Sequence, residues 1–175
     1  MKLLDIEAAK EKVFVDINAY LATVRSIVAA TPDNLEGGIQ TLALMRKSSS
    51  EELNQIQHEY GALKSIDWLL RRSPELASAE WDWHPRQTGN FSEPDVRASM
   101  GNRTVISAEI TTSEMPKGVI DARMAKTLAK LSSMDGELFY FVLTHKMAQR
   151  ARTKVSKSKF AIEVVNLSDT APAIA

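Results

Sequence analysis

The chain has 175 residues, 22 Lys+Arg against 22 Asp+Glu for a formal net charge of zero, 44% hydrophobic residues and no cysteine. That length fits a single domain with a sizeable core. The missing cysteine excludes a disulfide framework, thiolate metal ligands and a cysteine nucleophile, and an intracellular, cytoplasmic setting is expected.

Asp5, Glu7, Lys10 and Lys12 interrupt the N-terminus where a secretion signal needs an apolar run, so no signal is expected. The longest uninterrupted apolar stretch runs from Leu138 to Leu143, six residues, against the roughly 20 needed for a membrane helix.

Ile6, Val13, Ile17, Leu21, Val24 and Val28 recur at helical steps and predict an amphipathic helix over 6 to 29, stopped at Pro32. A second helix is predicted over 36 to 46. A third, capped by Ser49 or Ser50, runs through Leu53, Ile56, Tyr60, Leu63 and Leu70 to Pro74. From residue 78 the period becomes two. Ala79, Trp81 and Trp83 alternate with Glu80, Asp82 and His84, which makes a strand with the tryptophans as core, and 85 to 90 reads as a turn. Pro94, Val96 and Ala98 mark a second strand, and Gly101 with Asn102 turns it into a third over 104 to 112. A helix over 119 to 133 follows, with Ile120, Met124, Leu128 and Leu131 on one face and Arg123, Lys126 and Lys130 on another. Residues 137 to 144 read as a central strand, 145 to 157 as a basic helix, and 160 to 167 as a last strand.

The fold class expected is α/β: one domain with a central mixed sheet flanked by helices. Residues 1–48 form a helical N-terminal extension, 49–167 the core and 168–175 a tail.

Zero net charge conceals an uneven distribution. Residues 145 to 175 hold 6 bases and 2 acids. Lys146, Arg150, Arg152, Lys154 and Lys157 succeed one another without an acid between them. Such a run suits phosphate contacts, and equally an ordinary solvated helix.

Asp95 follows Pro94, and Glu109 stands 14 residues later on the next strand. If the two strands pair, both carboxylates reach one divalent cation, and Mg²⁺ takes only one or two carboxylates beside water and phosphate oxygens. The same two acids also suit solvated positions on a half-exposed sheet. Pro94-Asp95, the step to Glu109-Ile110-Thr111 and the order helix, three strands, helix, strand resemble the PD-(D/E)xK nuclease superfamily, the fold of many restriction endonucleases. The resemblance implies a restriction endonuclease-like core and Mg-dependent hydrolysis of DNA. It further implies Asp95 and Glu109 as metal ligands, the carbonyl of Ile110 as a further one, and Glu59 as an additional acid on the preceding helix.

The superfamily places a lysine two positions after the acid, and here that position is Thr111. Lys117, Lys126 or Lys130 is then expected to supply the charge. The alternative is a sheet that has lost cleavage and serves as a DNA-binding or regulatory subunit; an interaction protein unrelated to nucleic acid is a third reading. Arg123, Lys126 and Lys130 would join the basic helix as phosphate contacts. A twofold homodimer through the N-terminal helices would give a double-strand cutter its two sites. His58, beside Glu59, reads as a surface residue. A phosphate loop, a zinc-protease pair and a dinucleotide fingerprint are all missing from the sequence.

Overall fold

The computed structural model describes residues 2–3, 5–84 and 92–169, with the backbone alone for 48–51. In chain order these form β1 (Lys2–Leu3), α1 (Ile6–Ala29), α2 (Leu35–Arg72), a 3-10 turn (Pro74–Ser78), β2 (Glu80–Trp83), β3 (Val96–Met100), β4 (Arg103–Thr111), α3 (Val119–Leu131), β5 (Glu137–Val142), α4 (His145–Ser158), β6 (Ile162–Asn166) and a closing 3-10 turn (Leu167–Asp169). The six strands lie side by side in sequence order. β1 to β4 pair antiparallel, whereas β5 pairs parallel with both β4 and β6. The parallel neighbours are joined through α3 and α4, because a parallel pair cannot close through a hairpin. The protein is α/β with a mixed open sheet.

Side chains on the two faces of the sheet meet different helices. Trp81, Trp83, Val96, Ala98, Ile106, Ala108, Ile110, Phe139 and Phe141 pack with Ala62, Leu63, Ile66 and Leu69 of α2 and with Ala9 and Val13 of α1. Tyr140, Val142, Ile162 and Val164 face the opposite way, onto Met124, Leu128 and Leu131 of α3 and Met147, Ala148 and Ala151 of α4. The apolar run of β5 thus buries both its faces, as a central parallel strand must. Each such side chain contributes about 1.5–3 kcal/mol of transfer free energy. Trp68 of α2 sets its ring edgewise on Phe139 and Phe141, at 5.9 and 5.6 Å between centroids. Gly136, before β5, is fixed by space as well as by its φ of 86°, since a Cβ there would stand 2.6 Å from the Val105 carbonyl carbon.

From residue 78 onward the element order agrees with the sequence reading, and three features of the chain differ from it. Helices predicted separately over 36 to 46 and from 50 onward are one helix, capped by the Asn34 side chain, which accepts from the Gly37 N–H at 2.9 Å. Serines disfavour a helix only by tenths of a kcal/mol each, and neither glycine nor proline interrupts 39 to 60, so the helix propagates through. Residues 2 and 3 are not part of a helical extension: they add an edge strand, with Lys2 opposite Asp82 and Leu3 opposite Trp81. The strand expected from Pro94 starts only at Val96, which leaves Asp95 just outside the ladder. The turn expected over 85 to 90 lies outside the described residues, as does most of the tail. Among the described residues no helix is long and apolar enough to cross a membrane.

Candidate active site at the end of strand β4

Strand alternation directs Ile106, Ala108 and Ile110 of β4 toward α2, and Ser107, Glu109 and Thr111 to the other face. Glu109 is only 6% exposed. Lys130 reaches it from the last turn of α3, with Nζ 2.5 Å from Glu109 Oε1 as an ion pair. The same ammonium donates to the Glu93 carbonyl at 3.0 Å. Burial pushes the Glu109 carboxyl up to about 7, and the negative charge of Asp95 pushes the same way, against the pull of Lys130 and His58.

Asp95 is bound to β4 by its side chain. Its Oδ2 accepts the Ile110 N–H at 2.8 Å, immediately beyond the Val96–Ala108 pair with which the regular β3–β4 register begins. Both carboxylates are therefore anchored to consecutive residues of one strand, one being its side chain and the other a partner of its backbone. The sequence placed Asp95 within a strand; the structure places it as the cap of one.

His58 is the residue that sequence reasoning misplaced. It is half-buried, with Nε2 3.1 Å from the Ile110 carbonyl and 3.4 Å from Asp95 Oδ2. A carbonyl oxygen only accepts, so Nε2 carries the hydrogen and shares it between two oxygens that sequence analysis offered to a cation. Gly61, one helical turn further along α2, makes this contact geometrically possible. A Cβ at 61 would stand 3.0 Å from Ile110 Cγ2, so α2 approaches β4 as closely as it does because that position has no side chain. Glycine inside a helix costs about 1 kcal/mol relative to alanine, and an unexplained Gly61 three residues after a histidine was the available signal.

Thr111, at the position of the superfamily lysine, uses its hydroxyl on the Tyr140 hydroxyl at 2.7 Å. Burial pushes Tyr140 up to about 12, with Thr111 working against it and the charges of Glu109 and Asp95 adding to it. Glu59, 2% exposed, turns toward α1, where Lys12 Nζ lies 3.1 Å from its Oε2. Of the three candidate lysines, Lys130 meets Glu109, while Lys117 and Lys126 are exposed and form no ion pair among the described residues. Arg123 is likewise exposed.

The basic helix is less available than its sequence suggests. Arg150 grips Asp121 of α3 through Nε and Nη2 at 2.8 and 2.9 Å, and Lys154 Nζ adds a contact at 3.1 Å. Arg152 donates to the Val164 carbonyl at 3.2 Å. Lys146 and Lys157 are exposed. A groove of about 520 Å³ lined by Asp16, Tyr20, Glu52 and Gln55 lies between α1 and α2, and neither Asp95 nor Glu109 lines it. No family model, no curated protein and no solved structure matches this chain.

Proposed function

We propose that this chain is a metal-dependent deoxyribonuclease with a restriction endonuclease-like core, hydrolysing phosphodiester bonds in DNA. One observation carries the reading: Asp95 is bound through its side chain to Ile110, the residue of β4 next to Glu109, and the Lys130 ammonium stands beside Glu109. A buried acid raised to about 7 by desolvation and a second acid gains from any cation brought against it, which suits a Mg²⁺ site. Among the described residues no group of three or more His, Asp or Glu is arranged to hold a metal, but Mg²⁺ accepts two carboxylates and completes its shell with water and phosphate oxygens. Asp95 and Glu109 would hold the ion, and the Ile110 carbonyl joins them if the His58 N–H gives it up. When bound, such an ion polarises the scissile phosphate and lowers the pKa of the attacking water. Lys130 takes the role of the superfamily lysine from α3, offsetting charge that develops on the phosphate. His58 orients Asp95 from the α2 side.

A second reading, a DNA-binding or regulatory subunit without cleavage, is favoured by two contacts: Tyr140 engages the Thr111 hydroxyl, and His58 engages the oxygens of Asp95 and Ile110. Incubating the chain with plasmid and with branched DNA in Mg²⁺, Mn²⁺ and EDTA separates the two. Cleavage that needs the ion and disappears in Glu109→Gln supports the nuclease. Salt-sensitive binding with intact DNA under every condition supports the subunit instead.

A further inference from the structure

The first part of α2 packs more openly than the rest of the molecule, with Ile56 its one half-buried large apolar side chain against the core. From Leu35 to His58 no described residue is buried, although a helix in water draws most of its stability from burying one face. Its exposed apolar residues are large and ordered. Leu35 is 85% and Leu42 62% exposed, and Ile39, Leu53 and Tyr60 are also open. These five fall within the alternating four- and three-residue steps 35, 39, 42, 46, 49, 53, 56, 60, a heptad seam with Arg46 and Ser49 at its middle in the sequence, while Leu44 and Met45, also exposed, lie off it. On α1, Phe14, Leu21 and Val28 are exposed at seven-residue steps.

We infer that the α1–α2 hairpin is a homodimerisation surface, on which the α2 seam of one chain packs antiparallel against the same seam of a second copy. Two observations select a second copy in that orientation. Antiparallel pairing about a twofold axis between 47 and 48 sets Leu35 against Tyr60 and Leu42 against Leu53, with Ile39 over the half-buried Ile56, which also packs on the core of its own chain, so apolar meets apolar. Parallel pairing would stack Arg46 on its own copy, like charge on like. The second observation is area: the exposed parts of Phe14, Leu21, Val28, Leu35, Ile39, Leu42, Leu53 and Tyr60 offer at most on the order of 900 Å² per chain, taking ~170–260 Å² for each fully exposed residue, against about 800 Å² per partner in a stable interface. A twofold contact of this kind closes on itself and leaves no open end. The inference stands independently of the nuclease reading, since neither the seam nor its test involves metal or DNA.

Sedimentation of the full chain at tens of micromolar should give twice the 19.4 kDa of one chain, and Ile39→Glu/Leu42→Glu should give a single-chain mass with its helical circular dichroism retained, because both positions are exposed. Orientation is read by cross-linking, which the absence of cysteine makes clean. Under mild oxidation Leu42→Cys/Leu53→Cys should form an intermolecular disulfide, whereas Leu42→Cys alone should not, its two copies lying roughly 16 Å apart along antiparallel helices. That pair of variants decides the matter even if the glutamate variant misfolds. A single-chain mass for the wild type overturns the proposal, as does Leu42→Cys linking to itself as readily as the double variant links.

Discussion

Two regions of this molecule set acids beside bases, at the end of β4 and on the surface shared by α3 and α4, and they reach opposite states. Asp121 accepts from Arg150 and Lys154 near solvent, and the Arg150 hydrogen bonds lead in holding its carboxyl well below the usual carboxylate range. Glu109 has a lysine just as near, yet burial and Asp95 outweigh it and the carboxyl rises to about 7. The number of positive neighbours does not decide the outcome; water does. At the α3–α4 surface the charges are mutually satisfied, so the bases there are already occupied. At the end of β4 the carboxylate form of Glu109 is held against a desolvation cost that Lys130 only partly offsets.

If that contrast underlies function, the largest effects belong at β4. Asp95→Ala and Glu109→Gln should each lower Mg²⁺-dependent cleavage of plasmid by more than roughly 100-fold, beyond the 10–100-fold typical of losing a supporting partner, with thermal unfolding still cooperative. Wild-type turnover in either folded variant removes the site. Lys130→Met should cost about 10–100-fold, whereas Lys117→Ala and Lys126→Ala should leave the rate close to wild type. An equal loss in all three would mean that general positive charge matters more than the contact with Glu109.

A smaller effect sharpens the contrast without any DNA. Because the Glu109 carboxyl is raised in the fold from 4.5 to about 7, the folded state binds its proton more tightly than the unfolded chain does. Its contribution is fully present below about pH 4.5 and is lost as the pH climbs to about 7, at about 1.4 kcal/mol per unit of displacement. Melting temperature followed from pH 5 to 8 should therefore carry a downward component that vanishes in Glu109→Gln, and millimolar Mg²⁺ should restore stability most at the alkaline end. A wild type and variant with parallel profiles would show that Glu109 titrates as an ordinary carboxylate.

The smallest effect lies on the satisfied side. Arg150→Gln/Lys154→Gln should barely alter the salt dependence of binding to a random duplex, because both bases already serve Asp121. Asp121→Asn frees them and should steepen the slope of log affinity against log salt by about one to two units. A double variant that flattens the wild-type slope would show that phosphates outcompete Asp121.

The sequence conveyed those contacts that are local or periodic. Period-two alternation placed Trp81 and Trp83 in the core and Ile106, Ala108 and Ile110 on one face, while the Pro94-Asp95 to Glu109 spacing put two acids on neighbouring strands without showing that Asp95 lies just before β3. The apolar run from Leu138 marked the strand covered on both faces. What stayed hidden depends on partners far along the chain. Asp121 lies 29 residues from Arg150, so a basic run looks free until α3 and α4 are packed together. His58 meets Ile110 across 52 residues, and only the missing side chain at Gly61 hints at so close an approach. The continuity of α2 through 48 to 50 was obscured because serine, a good cap, is also an acceptable interior residue when neighbours carry the helix onward.

The pairing of β1 with β2 has a consequence for how the chain assembles. Lys2 and Asp82 are neighbours in the sheet, so in connectivity the whole α1–α2 hairpin is an insertion between two adjacent strands. Loop closure becomes harder only slowly with length, by about 0.6 kcal/mol per doubling, so the protruding half of the hairpin can be lengthened or excised with little change to the sheet it leaves and rejoins. During synthesis, at ~5–20 residues per second, β1 waits on the order of 4–16 s for its partner to emerge. Meanwhile the helices between them can form from local contacts alone, carrying β1 to the edge where β2 will meet it.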